Sequence, residues 1–308
     1  MFEHTYSEPD APDPVLDDEL VLSLVRRHLP DARAVTGIDE SGGEARTYAI
    51  DEGIILKVQR PQQLRPLTSL EKEVFFLRQL ETEPDVSVPR VLGYGREGHS
   101  IEYNVQTRMP GKAMRHVPLD EEARAAVLFE LGKTLRRIHE LPKGPFEQSG
   151  LLPADESFEV VRARFAHYFA SMARRIRERE RPWSLDLAPE EVGERALAAL
   201  PPSDERVALH SNPGPEHTFV FPESGTYSGL IDFGDAFISH PALDMRRRAG
   251  PQDRDAILRG YTADGPVNDT FLGTWLVVQA LSDLIDIAAY PDGSATAAQD
   301  LKELIRRF

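Results

Sequence analysis

Two neighbouring segments of this sequence place polar side chains at the ends of short apolar runs. Residues 209–221 read LHSNPGPEHTFVF, and residues 229–237 read GLIDFGDAF. In the second segment, Asp232 follows two apolar residues and precedes a Phe-Gly turn, where a carboxylate is well placed to hold Mg²⁺ on a nucleotide. Asp235 is then either a turn residue or a further ligand. In the first segment, Asn212 stands where we would expect a carboxylate, so the sequence raises the question whether this loop performs chemistry.

A second group of candidate residues lies in the first third of the chain. Ser41, Gly42 and Gly43 form a turn between two strand-like runs, and a glycine turn lets backbone amides approach a phosphate. Lys57, in the next strand, could meet the same phosphate as a point charge. Glu73 lies on the following helix beside its apolar stripe and could hold Lys57 in place. A structural explanation competes, because Gly-Gly turns are common in hairpins and both charged side chains can face solvent.

The elements that must position these residues change in character along the chain. Residues 1–16 are acidic and rich in proline, which predicts a disordered tail. Asp17 or Asp18 can cap a helix that runs to about residue 29. Apolar alternation then predicts three strands, a helix capped by residue 68 or 69, and two further strands. Their predicted bounds are 33–40, 44–50 and 53–59 for the first strands, 69–81 for the helix, and 88–95 and 99–109 for the last strands.

From Pro110 onward the pattern is mainly helical, with two strand-like runs inside residues 206–233. Helices are predicted over residues 119–140, 155–181, 188–199, 251–260, 267–290 and 295–308. The sequence therefore predicts an α+β fold. Its N-terminal lobe, residues 17–109, would hold an antiparallel sheet, and its C-terminal lobe, residues 110–308, would be mainly helical.

Composition limits the class of protein. The chain has 308 residues, 41% hydrophobic and 28% charged, so it can form a sizeable core divided between two lobes. It contains no cysteine, which excludes disulfides, thiolate metal sites and cysteine nucleophiles. A net charge of −15 disfavours nucleic acid and anionic membranes as partners and suits cationic ligands. We expect no membrane span and no signal peptide from the apolar pattern, so a cytoplasmic protein is predicted.

The order of the candidate parts is more specific than any one of them. A glycine turn, a strand lysine, a helical glutamate, a lobe boundary, a His-led loop and IDFGD follow one another as in protein kinases. The sequence resembles the aminoglycoside phosphotransferase family of small-molecule kinases, with its macrolide and choline/homoserine kinase relatives. Members carry H-G-D-L-x-P-x-N or H-G-D-L-G-P-E-H, followed by I-D-[FW]-x-D-A-x-I-x-D-P-x-x-D. Here residues 210–217 read HSNPGPEH and residues 231–244 read IDFGDAFISHPALD, within a resemblance that covers about residues 18–290.

The resemblance implies a two-lobed protein-kinase-like fold with ATP or GTP bound between the lobes. The turn at residues 41–43 would lie over the phosphates, and the base would lie near Gln106 and Met109. Lys57 would contact the α- and β-phosphates, and Glu73 would anchor it.

The resemblance also assigns the C-terminal lobe. Asp232 would be the main Mg²⁺ ligand, and His217 stands where many members have a second metal-ligating Asn. Asp244 would organise the lobe by hydrogen bonding.

Three positions depart from the family pattern: Ser211 replaces Gly, Asn212 replaces Asp, and His240 replaces Asp. Asn212 matters most, because it occupies the position of the Asp that orients the acceptor hydroxyl and accepts its proton. An amide can accept a hydrogen bond but cannot take up the proton. His210 and His217, in the same loop, are candidate replacement bases, since a neutral imidazole can act near pH 7. In the family, however, the leading His is more often structural.

Two functional hypotheses follow. In the first, the protein is a phosphotransferase that moves the γ-phosphate of ATP or GTP to a hydroxyl of a small molecule, with turnover impaired at residue 212. In the second, it is a catalytically silent relative that binds nucleotide or metabolite. Four acidic residues could form a wall for an amine-bearing acceptor, although pairing with an arginine is the ordinary alternative. They are Asp235, Glu216, Asp283 and Asp286. The sequence leaves monomer and homodimer equally open.

Overall fold

The first third of the chain forms one antiparallel sheet. In this computed structural model, residues 7–64, 69–98, 101–245, 250–290 and 294–308 are described. The sheet has the strand order β1-β2-β3-β5-β4, so β3 is central. Its strands are β1 (Val35–Asp39), β2 (Ala45–Ile50), β3 (Ile54–Gln59), β4 (Val91–Glu97) and β5 (Ile101–Thr107). Each of the five predicted strands is present, and the bounds differ by up to three residues.

Two helices pack against this sheet. Helix α1 (Asp18–Arg26) begins at Asp17, whose carboxylate accepts a hydrogen bond from the backbone N–H of Leu20. Helix α2 (Leu70–Leu80) begins at Ser69, whose hydroxyl accepts from the backbone N–H of Lys72. Both caps were among the predicted residues.

A core shared by α1 and the sheet stabilises the N-terminal lobe. Leu24 and Val25 of α1 are fully buried with Tyr48, Leu56 and Val105 of the sheet. Alternating strand residues therefore cover one face with apolar side chains, which is the arrangement that period-two patterning predicts.

The predicted disordered tail is described only from residue 7 onward. Residues 1–6 lie outside the described residues. Asp13 has a side chain that is only 6% exposed and forms ion pairs with Arg46 and Arg60. The end of the predicted tail therefore packs on the sheet, because two arginines provide it with a buried partner.

The chain that follows this sheet is mainly helical, as predicted from Pro110 onward. Its helices are α3 (Glu121–Glu140), α4 (Lys143–Ser149), α5 (Phe158–Glu178), α6 (Pro189–Ala199), α7 (Pro251–Tyr261), α8 (Asp269–Ala289) and α9 (Ser294–Ile305). Helix α4 was not predicted; it is short, contains Pro145, and ends at Gly150 with a φ of 65°.

Short strands interrupt these helices and carry the polar segments. They are β6 (Lys112–Ala113), β7 (Val207–Leu209), β8 (Thr218–Phe221), β9 (Thr226–Leu230) and β10 (Phe237–Ser239). Strands β6, β8 and β9 form one small sheet, and β7 pairs with β10 in another. The N-terminal sheet and helical C-terminal half agree with the predicted α+β class, while the lobe bounds 17–109 and 110–308 stay a prediction.

Helix α8 lies within the helix predicted over residues 267–290, and its composition is mainly apolar. By length and composition alone it is able to cross a membrane, so the expectation of no membrane span stays a prediction. However, 72% of its apolar window is buried inside the protein. Trp275, Val278 and Leu281 belong to the main core of the C-terminal half, so α8 has the burial of a core helix.

Candidate active site

The structure brings three predicted residues from distant parts of the chain together. Lys57 lies on the central strand β3, Glu73 on α2, and Asp232 just after β9. The ammonium of Lys57 donates to both carboxylate oxygens of Glu73, at 2.9 and 2.7 Å, and to Oδ1 of Asp232 at 3.1 Å. Glu73 is 1% exposed and Lys57 13% exposed, so the solvent-facing alternative for this pair does not hold.

Burial and charge act against each other in this triad. Burial alone would lower the pKa of Lys57, but the carboxylates of Asp232 and Glu73 outweigh it and raise that pKa. Burial alone would raise the pKa of Asp232, but Lys57 and His217 hold it well below its usual range. Burial raises the pKa of Glu73 despite the opposing charge of Lys57. Asp232 therefore remains an ionised oxygen donor beside a fixed ammonium.

The Asp232 turn is held by aromatic packing. Asp232 has a φ of 73°, in the left-handed region that non-glycine residues rarely adopt. The next residue, Phe233, is fully buried between Phe76 of α2 and His210, with ring centroids 4.9 and 4.5 Å away. Lys72, also on α2, donates to the carbonyl oxygen of Ala236 at 2.8 Å. Sequence reasoning missed Lys72, which ties α2 to this turn.

His210 holds the loop rather than facing an acceptor. Its Nε2 donates to the carbonyl oxygen of Ile231 at 2.9 Å, and its Nδ1 accepts from the backbone N–H of Asn212 at 3.2 Å. The ring is fully buried, and burial lowers its pKa to about 4. Since both ring nitrogens are engaged with the backbone, this geometry does not favour His210 as the replacement base.

Asp244 fixes the start of the same loop. Its Oδ2 accepts from the backbone N–H of His210 at 2.7 Å, and its Oδ1 accepts from that of Ser211 at 2.6 Å. The ring of His139, at the end of α3, contacts Oδ2 at 3.0 Å. These bonds give Asp244 the organising contacts that the family resemblance implies.

The backbone conformation at Ser211 is one that favours glycine, the residue of the family pattern at this position. Its φ is 80°, a left-handed conformation that glycine adopts at little steric cost. Ser211 adopts this conformation although it is not glycine.

Asn212 is fixed through its backbone, while its side chain is exposed. Its carbonyl oxygen accepts from the backbone N–H of Gly214 and from Nδ1 of His217, both at 2.7 Å. Among the described residues, no hydrogen bond involves the side-chain amide group of Asn212. His217 then directs its Nε2 toward Oδ2 of Asp232 at 3.2 Å, so the loop and the IDFGD turn are in contact.

The residues present fit a magnesium ion in part. Asp232 supplies a hard, ionised oxygen, which Mg²⁺ prefers, whereas the imidazole nitrogen of His217 is a softer ligand. Within the described ranges, no group of three His, Cys, Asp or Glu side chains is arranged to hold a metal ion. Such an ion would therefore rely on Asp232 together with phosphate oxygens and water, as is usual for Mg²⁺ on a nucleotide.

The predicted nucleotide-contact residues lie on the sheet side of the site. Ser41, Gly42 and Gly43 are exposed between β1 and β2. A side chain at position 42 would meet the backbone oxygen of Ala45 at 2.6 Å, so this close turn requires glycine. At the far end of β5, Gln106 is 6% exposed and accepts from Asn104, and Met109 is 7% exposed.

One residue of the predicted acidic wall, Asp283, follows the alternative of pairing with an arginine. Asp283 is 1% exposed and pairs with Arg254 of α7, so it lies in the interior and cannot line an open acceptor site. Burial raises its pKa to about 7 against the charge of Arg254. Asp235, Glu216 and Asp286 are partly exposed, and their role toward an acceptor stays a prediction.

The third departure from the family pattern is fully interior. His240 is 1% exposed, and its Nδ1 accepts from the backbone N–H of Ala242 at 3.3 Å. Its Nε2 has no hydrogen-bond partner among the described residues. Burial, with the nearby charge of Arg206, lowers the pKa of His240 to about 4.

Comparison with known proteins agrees with this architecture. A search of curated proteins finds no match. Among solved structures, the GDP and kanamycin complex of APH(2″)-IIIa aligns with a TM-score of 0.60 at 15% identity, covering 94% of this chain and 97% of that one. The macrolide 2′-phosphotransferase MphH from Brachybacterium faecium gives 0.60 at 18% identity, covering 93% and 98%. ADP-bound aminoglycoside phosphotransferase APH(2″)-Ib gives 0.58 at 15% identity, covering 94% and 97%.

At these identities the structural similarity establishes the fold, and it confirms the predicted two-lobed protein-kinase-like class. The family rests on the sequence itself. The model of the phosphotransferase enzyme family, APH, matches residues 36–267, which include Lys57, Glu73, Asn212 and Asp232. The protein therefore belongs to the APH phosphotransferase family, as its motif order predicts.

Proposed function

We propose that this protein binds ATP or GTP with Mg²⁺ and transfers the γ-phosphate to a hydroxyl of a small molecule, at a rate limited by Asn212. The observation that carries the proposal is the triad of Lys57, Glu73 and Asp232. Family membership makes phosphoryl transfer the reaction class, and the triad supplies a fixed cation and an ionised carboxylate at one point of the site.

Each part of the triad has a separate role in the proposal. Glu73 removes the freedom of the Lys57 side chain, so that its ammonium is ready for the α- and β-phosphates. Asp232 would hold Mg²⁺, which neutralises charge on the transferring phosphoryl group when bound. Lys57 now donates to Asp232, and phosphate oxygens would compete for that donor when nucleotide enters.

The loop residues orient the acceptor side. His210 and Asp244 fix the backbone, so the residue 212 side chain projects from a rigid turn. The side-chain amide oxygen of Asn212 can accept a hydrogen bond from the acceptor hydroxyl, but the amide cannot take up its proton. Because the transition state of phosphoryl transfer is loose, positioning and charge neutralisation still contribute without a base.

The second candidate function is nucleotide or metabolite binding without transfer. It is favoured by one observation: the alternative base, His210, is buried with both ring nitrogens engaged with the backbone, so it does not replace the missing carboxylate. Both candidates predict nucleotide binding, and they differ only in turnover.

The acceptor is proposed by analogy and by charge. Similar folds include aminoglycoside and macrolide phosphotransferases, and a net charge of −15 suits a cationic acceptor such as an aminoglycoside. A macrolide or a related hydroxyl-bearing metabolite is the alternative class. A cytoplasmic monomer or homodimer that binds neither nucleic acid nor membrane remains part of the proposal.

The test separates binding from transfer. Thermal shift and calorimetry with Mg-ATP and Mg-GTP measure binding, and phosphate transfer is then assayed against panels of aminoglycosides and macrolides. Nucleotide binding with slow transfer supports the first candidate, whereas binding with no transfer supports the second. Absence of binding to both nucleotides, with and without Mg²⁺, would refute both.

A further inference from the structure

The carboxylate of Asp13 is the centre of a dense cluster of hydrogen bonds at the edge of the N-terminal sheet. Its Oδ1 accepts from Nη1 of Arg46 at 2.9 Å, and its Oδ2 accepts from Nη2 of the same residue at 3.1 Å. Oδ2 also accepts from Nε of Arg60 and Nε2 of Gln62, both at 2.9 Å. Four donors from β2 and the segment after β3 therefore converge on one side chain.

The two arginines continue from Asp13 to the turn at residues 40–43. Nη1 of Arg60 donates to the carbonyl oxygen of Gly42 at 3.0 Å and to that of Glu40 at 3.3 Å. Nε of Arg46 donates to the carboxylate of Glu40 at 2.7 Å. Asp13 thus contacts the turn through both arginines, although it touches no residue of the turn itself.

The side chains of this cluster are largely buried, so the loss of one charge cannot be compensated readily by water. Asp13 is 6% exposed, Arg46 5% and Arg60 14%, so water is largely excluded from their contacts. Without Asp13, Arg46 would keep one acidic partner, Glu40, which is 53% exposed, and Arg60 would keep only backbone carbonyl oxygens. Buried guanidinium groups that lose their buried carboxylate rearrange or draw in water, and either change loosens their hold on the turn.

We propose that Asp13 is a positioning residue for the nucleotide: its carboxylate aligns Arg46 and Arg60 so that they hold the 40–43 turn in the shape that receives phosphate. Asp13 precedes the residues matched by the family model, which begin at residue 36, whereas its partners Arg46 and Arg60 lie within them. The proposal rests on the proposed function for its binding consequence, but its effect on the turn can be measured without nucleotide.

The main experiment compares two charge-matched variants of the full chain. Asp13→Ala removes the buried carboxylate, and Asp10→Ala removes an exposed acidic residue from the same segment. Amide hydrogen exchange at residues 41–43 should accelerate about tenfold in Asp13→Ala and stay unchanged in Asp10→Ala. If the binding-competent turn falls to about one tenth of molecules, the Kd for Mg-ATP or Mg-GTP rises about tenfold. Unchanged exchange and unchanged Kd in Asp13→Ala would overturn the proposal.

Chemical rescue adds an arm that does not depend on nucleotide. The Ala variant leaves a receptor of two guanidinium groups and an amide, which fits a small carboxylate. Formate should restore the slow exchange of Asp13→Ala, while chloride at equal ionic strength should not. Equal effects of the two salts would show that screening, rather than a specific site, controls the turn.

A second variant covers the case in which Asp13→Ala does not fold. Arg60→Lys keeps a cation beside Asp13 but loses the planar group that reaches the carbonyl oxygens of Glu40 and Gly42. Faster exchange at the turn supports the proposal, and wild-type exchange in this variant contradicts it. If wild-type protein binds no nucleotide while these exchange effects occur, the proposed function fails and the positioning contact stands.

Discussion

The substitution Asn212→Asp tests whether the missing carboxylate limits turnover. The backbone at residue 212 is fixed by hydrogen bonds to His210, Gly214 and His217, and the new side chain has nearly the same shape. Because the side chain is exposed, a carboxylate there stays hydrated and breaks no buried contact. The free energy of unfolding should therefore change by no more than about 0.5 kcal/mol.

The expected gain is kinetic. A general base contributes about 10²–10⁴ in rate, which is about 3–5 kcal/mol of activation free energy. Phosphoryl transfer depends less on a base than other group transfers, so we expect kcat to rise about 10²-fold. The Kd for nucleotide should stay within about twofold, since Lys57, Glu73 and Asp232 are unchanged.

The assay is phosphate release and transfer at saturating nucleotide and acceptor, with Asn212→Ala as the matched control. Asn212→Ala should fall below wild type if the amide positions the acceptor, and should equal wild type if the protein is silent. The reasoning is refuted if Asn212→Asp binds nucleotide and acceptor normally but transfers phosphate no faster than wild type. Some other part of the site would then limit the reaction.

Three further predictions address the geometry around the loop. Glu73→Gln leaves Lys57 without its buried carboxylate partner, so it should lower the free energy of unfolding by about 3 kcal/mol and weaken nucleotide binding measured by calorimetry. The control, Glu71→Gln at a partly exposed position, should have little effect on either quantity. Equal effects of the two variants would contradict the role of the Lys57–Glu73 pair. Ser211→Gly should raise the free energy of unfolding, measured with urea, by about 0.5 kcal/mol. The strain removed from the left-handed backbone at this position exceeds the cost of the greater freedom that glycine gives the unfolded chain. A loss of stability would contradict this prediction. The folded pKa of His240, about 4, lies below the ordinary value of 6.5, so its neutral form stabilises the fold fully above pH 6.5 and this stabilisation is lost as the pH falls toward 4. Between pH 7 and 5, the free energy of unfolding of His240→Gln should therefore fall by about 2 kcal/mol less than that of wild type. Equal decreases in the two proteins would show that His240 is not the cause.

Local rules predicted the elements that carry the site. The period-two runs gave β2 and β3 because alternate side chains enter the core shared with α1, and the Ser69 cap gave the start of α2. The pairing of Lys57 with Glu73 followed from motif order and from the position of Glu73 beside an apolar stripe. These inferences use spacing within one element or the sequence order of elements, both of which the chain displays directly.

Contacts between distant elements were harder to predict. Asp283 and Asp286 share a helix, but helical spacing does not reveal which residue of another helix each one meets. In the structure Arg254 of α7 lies against Asp283 and makes it part of the interior. Asp13 was assigned to a disordered tail on composition, because its partners are Arg46 and Arg60, separated from it by 33 and 47 residues.

The contacts that shape the loop at residues 210–217 and the identity of the side chain at residue 212 have different consequences for function. The residues that set its shape are retained: Asp244 accepts from two backbone amides, and His210 bonds to Ile231, the residue before Asp232. Ser211 keeps the left-handed turn without glycine, so the shape is maintained at a cost in strain. A loop that needed only to connect β7 and β8 would not require these contacts. The fold therefore still presents residue 212 at the site, and the identity of that one side chain determines whether the site can take up a proton.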